Sequence, residues 1–149
     1  MGTHHKGTSK EIKILNAYIK FIRAFNSIQS RLSRCRAEDK LTISQFGVLE
    51  ALFHLGSMNQ KEISAKLLFS GSNLVTVIDN LEKNGLVKRA RKIEDRRNII
   101  VSLTNRGEEI IKEIFPKHLS AIMNEFSDFT DDELDELGRL SKKLGKKIK

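Results

Sequence analysis

A cluster of basic residues between positions 86 and 106 is the strongest chemical feature of this 149-residue chain. The stretch carries seven Lys or Arg against two acids, whereas residues 107–138 carry two Lys against ten acids. The chain as a whole has a net charge of +8. Because the positive charge is concentrated beside an acidic region, it predicts one surface for a polyanion such as a nucleic acid.

The segment just before this cluster has a polar face that could read base edges. Leu74, Ile78 and Leu81 form the apolar row of a helix, and hydroxyl and amide side chains lie opposite. Such groups can bond to adenine or contact thymine in the major groove. The candidate DNA contacts here are Ser70, Ser72, Asn73, Thr76, Asn80 and Lys83. An ordinary solvated helix surface is the alternative. Asp79 would repel phosphate unless it is paired, and Lys83, one turn on, is its expected partner.

The basic cluster itself has the alternation of a β-hairpin. Ile99, Val101 and Leu103 can share one side, whereas cations occupy the tip and the flanks. The candidate contacts among them are Lys88, Arg89, Arg91, Arg96 and Arg97. Asp95, two residues before Arg97, could hold that guanidinium by charge-assisted hydrogen bonds and aim it into a minor groove. The alternative is a solvated charged turn without a partner.

Other reactive residue types are sparse. Cys35 lies between Arg34 and Arg36, which would favour a thiolate and allows an oxidant-sensing hypothesis. The same neighbours are common on a solvated linker. His54 is expected to pack as an ordinary histidine. The sequence shows no nucleophile–base spacing, phosphate-cradling glycine loop or metal-ligand pair, so we expect neither enzyme activity nor a cofactor or metal site.

The elements that must position these groups follow one another in a recognisable order. A short amphipathic segment over 60–68 precedes a break at Ser70 and Gly71, and a second segment over 72–83 ends at Asn84 and Gly85. A basic hairpin follows, with its return strand at 99–101. Helix, turn, helix and hairpin predict a winged helix-turn-helix, which we place within residues 41–104.

Capping signals support the helix boundaries. Thr42, Asn59 and Thr130 are each followed three residues later by Gln or Glu, which is the pattern of a capping box. Ser70 is a fourth candidate cap, although Asn73 replaces the acid or amide partner there. Gly56 and Gly85 stand where left-handed helix stops are expected.

Long helices are predicted at both ends of the chain. Helical spacing of apolar residues covers 10–34, 105–127 (bent or split at Pro116) and 131–146, with a charged linker over 31–40 and an unstructured leader over 1–9. We interpret 10–40 and 105–149 as a dimerisation region. The winged helix-turn-helix of residues 41–104, called the head below, is too small to cover these apolar stripes. An intramolecular three-helix bundle is the alternative. The predicted dimer contacts are Ile14, Tyr18, Ile22, Leu119, Ile122, Phe126, Leu137, Leu140 and Leu144.

The bulk composition indicates a globular chain. It is 39% hydrophobic and 31% charged, and its length suits one domain, or a compact lobe with a dimerisation arm. A single cysteine suits a reducing compartment, and the sequence shows neither a membrane span nor a signal peptide. These features predict a cytoplasmic protein with no membrane partner.

Four sequence runs stand together in one order: QKEIS at 60–64, DNLEKNGLVKR at 79–89, DRRN at 95–98 and SLTNRG at 102–107. In this combination they closely resemble the MarR family of bacterial and archaeal transcriptional regulators. The resemblance extends over nearly the whole chain. It implies a homodimer with winged helix-turn-helix heads, Asp95 and Arg97 at the wing tip, and repression relieved by a small molecule or an oxidant.

The sequence also departs from the family pattern. Many members carry arginines where this chain has Gly71, Val77 and Asn80, which shifts the expected readout to the wing and to hydroxyl or amide contacts. The peroxide-sensing branch places its reactive cysteine near the start of the first helix, whereas Cys35 lies at the far end.

We therefore expect a mainly α fold: a winged helix-turn-helix with a small β-hairpin wing, and long terminal helices that form a dimerisation region. The predicted function is a homodimeric, sequence-specific regulator of a palindromic DNA site, in the form of a repressor released by a small effector. A phenolic or other aromatic effector between head and dimerisation helices is implied by the resemblance alone. The alternatives are an oxidant-sensing regulator acting through Cys35, and a winged-helix protein-interaction module without DNA binding.

Overall fold

The computed structural model describes residues 2–37, 40–67, 73–91 and 99–146, without the side chains of residues 35–37. Within these ranges helices predominate and a small antiparallel sheet lies in the middle of the chain, as the sequence predicts. The elements in chain order are α1 (Ser9–Ala37), α2 (Ile43–Leu55), β1 (Met58–Asn59), α3 (Gln60–Lys66), α4 (Leu74–Lys83), β2 (Val87–Arg91), β3 (Ile99–Leu103), α5 (Asn105–Glu125) and α6 (Asp131–Gly145).

All three predicted capping boxes are confirmed. The side chains of Thr42, Asn59 and Thr130 each accept a hydrogen bond from the backbone three residues on, and the Gln or Glu there accepts from the cap backbone. Gly56 and Gly85 have positive φ angles of 84° and 71°, so both act as the predicted stops. The predicted cap Ser70 lies outside the described residues.

The sheet contains one strand more than the sequence predicts. β2 and β3 form the expected antiparallel hairpin, in which Val87 pairs with Leu103 and Arg91 with Ile99. β1 adds to the other edge of β3, where Met58 pairs with Val101. A two-residue strand has too few side chains to show alternation, and for that reason the sequence pattern did not reveal it.

The hydrophobic core belongs to the central head. Leu49 of α2, Ile63 of α3, Ile78 and Leu81 of α4, and Val101 of β3 all have no exposed side-chain surface. The start of α5 closes this core, since Ile111 is equally buried. Each head element therefore turns its apolar face inward, which fixes the outward face of α4.

The first helix is longer than predicted. The prediction of a charged linker over 31–40 was wrong for residues 31–37, because α1 continues to Ala37. Two tertiary contacts favour helix there: Leu32 is only 7% exposed, and Arg31 Nε donates to Glu125 Oε1 of α5 at 2.7 Å. Residues 2–8, within the predicted leader, contain neither helix nor strand. Thr8 nevertheless caps α1: its hydroxyl oxygen accepts from the Glu11 backbone N–H, and its own N–H donates to the Glu11 carboxylate.

Helix α5 is one continuous helix through Pro116, so the predicted two-part alternative was wrong. The residues at its start are hydrogen-bonded to the backbone just after α4. Thr104 Oγ1 donates to the Gly85 carbonyl at 2.5 Å, and Arg106 donates to the Asn84 carbonyl at 3.3 Å. Gly107 packs so closely that a Cβ there would overlap the Leu86 carbonyl. The long helix α5 and α4 are therefore joined rigidly.

The terminal helices keep apolar surface exposed in the single chain. Helix α6 buries none of its residues, and its predicted inward row is 38% to 54% exposed. That row consists of Leu134, Leu137, Leu140 and Leu144. On α1 and α5, Tyr18 is 61% exposed and Met123 is 65% exposed. None of the helices described here is long and apolar enough to cross a membrane.

Candidate nucleic-acid interface

Helix α4 presents a polar face to solvent. Ile78 and Leu81 hold its other face in the core, so the side chains of Asn73, Thr76 and Asn80 are exposed. Lys83, the last residue of the helix, is exposed as well. The sequence-predicted helical contacts that the structure describes thus lie on one accessible side of the head. Asn73 is the N-cap residue, and its side chain makes no capping hydrogen bond.

The base of the wing lies directly beside α4. Lys88 and Arg91 of β2 are exposed, as a DNA contact requires. Arg89 has a different environment: its guanidinium contacts Asp79 Oδ1 at 2.6 Å and Glu82 Oε1 at 3.1 Å, and its side chain is only 20% exposed. The predicted pairing of Asp79 with Lys83 was wrong, because the partner comes from the neighbouring strand.

Strand geometry explains why Arg89 turns toward the helix. Arg89 lies two residues after the buried Val87, and side chains two apart on a strand share a face. Its backbone N–H also donates to Glu82 Oε2 at 3.0 Å. Partial burial lowers the pKa of Arg89, but the hydrogen bonds and charges of Asp79 and Glu82 outweigh it and leave that pKa above its ordinary value.

Several predicted contacts lie outside the described residues. Ser70 and Ser72 precede α4, and Asp95, Arg96 and Arg97 belong to the predicted wing tip; all five fall in the gaps between the described ranges. The side chain of Cys35 lies outside them as well. Their roles stay predictions from the sequence.

A mostly apolar cavity of about 400 Å³ lies between the head and the long helices. Leu32 of α1, Phe46 of α2, Leu67 after α3 and Ile122 of α5 contribute apolar walls. Its polar lining consists of Gln29, Ser44, Glu50, His54, Lys66 and His118. The volume and the character of the walls suit a small organic molecule.

The histidines and the acid of this cavity have aromatic or apolar surroundings. His118 is buried, and its ring is tilted against that of Phe46 with 4.4 Å between the ring centroids, whereas the His54 ring meets that of Phe115 edge-on with 4.6 Å between the centroids. Burial raises the pKa of Glu50 above its ordinary value, and the charge of His54 opposes this only in part. Among the described residues, no group of three or more His, Cys, Asp or Glu could hold a metal ion. The family resemblance implied an effector at this location, but no lining residue was predicted as an effector contact, since the walls come from four separate segments.

The predicted dimer contacts are divided between surface and interior. Ile14, Tyr18 and Leu119 are exposed. The three predicted leucines of α6 are exposed as described above. Ile22, Ile122 and Phe126 are partly buried within the chain. Ile122 lines the cavity, so its environment is at least partly intramolecular.

Comparison with known proteins decides the family. The family described as "Transcriptional regulator SarA/Rot" matches residues 31–114. The HTH-type transcriptional regulator YkoM of Bacillus subtilis is 35% identical over 133 residues, which are 89% of this chain and 86% of that protein. The chain belongs to the SarA/Rot family of transcriptional regulators, and the predicted resemblance to MarR-type winged helix-turn-helix, DNA-binding regulators is confirmed.

Solved structures agree with this MarR-family fold. The crystal structure of Sco3205, a MarR family regulator from Streptomyces coelicolor in complex with DNA, has a TM-score of 0.83 at 22% identity and covers 95% of this chain and 90% of its own. NadR in complex with 4-hydroxyphenylacetate has a TM-score of 0.72 at 21% identity and covers 99% and 100%. At these identities the likeness concerns the fold.

Proposed function

We propose that this MarR-type regulator binds a palindromic DNA site as a homodimer and represses transcription until a small effector releases it. The observation that carries the proposal is the pairing of two surfaces in one chain. One is the exposed polar face of α4 beside the cations of β2, and the other is the exposed apolar face of the terminal helices. Its site of action is the cytoplasm, where chromosomal DNA lies.

A second copy of the chain is the occupant we propose for the apolar face. None of the four leucines in the row on α6 is buried in the single chain, which leaves an apolar surface in contact with water. Residues 10–40 and 105–149 would form the dimerisation region, and residues 41–104 the DNA-binding head. A two-fold axis through the terminal helices would present two copies of α4 about one DNA turn, ~34 Å, apart.

Within each head, we assign separate tasks to helix and wing. Asn73, Thr76 and Asn80 would read base edges, because amides and hydroxyls can bond them in the major groove. The cations Lys83, Lys88 and Arg91 would meet phosphates. Ser70 and Ser72 would join the helix contacts, Arg96 would contact DNA from the wing tip, and Asp95 would aim Arg97 there, as predicted from the sequence.

The cavity supports the effector part of the proposal. It is bounded by α1 and α5 on one side and by α2 and the end of α3 on the other, so a ligand would contact both head and dimerisation helices. A ligand that fits only one arrangement of these parts would shift the population toward that arrangement. Its apolar walls and few polar groups suit a small aromatic compound, and the relative NadR was crystallised with 4-hydroxyphenylacetate.

Binding to selected genomic DNA tests the DNA claim. After selection of bound fragments, we expect Lys83→Ala and Arg91→Ala to weaken binding. Each phosphate left without its cation should reduce the steepness of log affinity against log salt by about 0.9. Lys112→Ala, which removes an exposed lysine from α5, is the matched control and should change neither. Equal effects of all three substitutions would contradict the assignment.

Effector release is tested on the same complex. Titration with 4-hydroxyphenylacetate and related phenols should dissociate the DNA complex of the wild type. Ala51→Phe places a ring in the cavity, so it should abolish release while DNA binding persists. Unchanged release in this variant would exclude the cavity as the effector site.

A further inference from the structure

The interactions of Arg89 set it apart from the other cations of the wing. Both terminal nitrogens of its guanidinium are engaged by carboxylates of α4, at 2.6 Å from Asp79 and 3.1 Å from Glu82. Its side chain is 20% exposed, whereas those of Asp79 and Glu82 are 56% and 41% exposed. The acids therefore face solvent, and the arginine lies behind them, against the helix.

The negative net charge of α4 makes the ion pairs of Arg89 important for DNA binding. The helix contains Asp79, Glu82 and Lys83 as its only charged residues, so on its own it carries a net charge of −1. Asp79 lies one turn after Thr76, on the exposed side that is proposed to approach DNA. An unpaired carboxylate there would face a phosphate backbone and weaken association. A helix of this composition needs a cation from elsewhere before it can enter a groove.

We propose that Arg89 is a positioning residue of the DNA interface. It touches no phosphate; it neutralises the two carboxylates of the recognition helix α4, so that this helix can approach DNA. The proposal rests on DNA binding through α4. It differs from the expectation drawn from the sequence, in which Arg89 was a candidate DNA contact.

A phosphate contact would need a different geometry. The guanidinium would have to leave Asp79 and Glu82 in order to reach DNA, which would leave two carboxylates unpaired beside the same phosphates. The backbone N–H of Arg89 also donates to Glu82, so the strand itself is held at this position. Lys88 and Arg91, exposed on either side of Arg89, can meet phosphates without breaking such ion pairs.

Neutral variants separate the possible roles. Arg89→Gln alone should weaken affinity for a selected duplex by on the order of tenfold, since both carboxylates are then uncompensated. The triple variant Asp79→Asn, Glu82→Gln, Arg89→Gln should bind within about threefold of the wild type and keep its salt dependence, because every cation that meets a phosphate is still present. Arg91→Gln is the control for a true phosphate ligand, and its salt dependence should be less steep by about 0.9 for each phosphate that it no longer neutralises.

A variant that keeps Arg89 distinguishes charge neutralisation from a folding defect in Arg89→Gln. Asp79→Asn with Arg89 intact should bind DNA at least as tightly as the wild type, whereas a purely structural tie would make this variant bind more weakly. Thermal unfolding of every variant identifies those that are not folded. The proposal is overturned if the triple variant stays as weak as Arg89→Gln, or if its salt dependence becomes as shallow as that of Arg91→Gln. A wild type that binds no duplex would instead refute the proposed function.

Discussion

The head and the terminal helices use the same residue types with opposite results. In the head, Leu49, Ile78 and Leu81 are completely buried. In α6, the leucines at 137, 140 and 144 are 38%, 48% and 54% exposed. The head therefore completes its core within one chain, whereas the terminal helices have apolar surface left over. This difference is the structural basis for assigning DNA recognition to one region and association to the other.

The largest expected effect is in the head core. Ile78→Ala removes a fully buried side chain and should lower the free energy of unfolding by about 3 kcal/mol, because it reduces apolar burial and leaves a cavity. Leu140→Ala in α6 should instead act through association, so its effect should depend on protein concentration. Thermal unfolding at several concentrations measures both. A similar, concentration-independent destabilisation of the two variants would abolish the contrast between the regions.

The junction between α4 and α5 should be nearly as sensitive. Gly107→Ala would push a methyl group into the Leu86 carbonyl, so we expect the free energy of unfolding to fall by about 2 kcal/mol. Gly138→Ala in α6 is the matched control, since a Cβ there meets no atom within 4 Å. It should gain up to about 1 kcal/mol from helix propensity. Chemical denaturation gives both values, and a harmless Gly107→Ala would show that this junction is not rigid.

The smallest expected effect concerns the cavity between the two regions. The folded protein raises the pKa of Glu50, chiefly through burial, so the folded state holds the proton more tightly than the unfolded state. Stability should therefore fall as the pH rises through the window between the ordinary carboxyl pKa of 4.5 and the raised value. Glu50→Gln should remove this decrease and raise the melting temperature slightly at neutral pH. Melting curves from about pH 4 to about pH 7 that coincide for both proteins would contradict this.

Local signals in the sequence predicted much of the fold. A cap and its partner three residues on form a self-contained motif, and for this reason Thr42, Asn59 and Thr130 were placed correctly. The apolar row of α4 fixed its exposed face in the same way. The positive φ of Gly56 and Gly85 needs only the absence of a side chain, which the sequence states directly.

The errors came from contacts between distant segments. The first part of the linker expected over 31–40 is helical as far as Ala37, and Arg31 there bonds Glu125 in another helix, 94 residues away. Asp79 was expected to use the nearest cation on its own helix, but the turn at Gly85 brings Arg89 closer. The cavity, too, exists only once α1, α2, α3 and α5 are assembled.

The mass of the protein, free and on a selected palindromic duplex, tests the central claim most directly. Sedimentation equilibrium should show a dimer in solution and two chains on each duplex. Leu140→Glu should shift the free protein toward monomer and reduce DNA affinity at least about tenfold, whereas Lys142→Glu, on the opposite side of α6, should do neither. A wild-type protein that stays monomeric at working concentration, and binds every duplex no better in dilute buffer than in high salt, would contradict the dimeric, DNA-binding assignment.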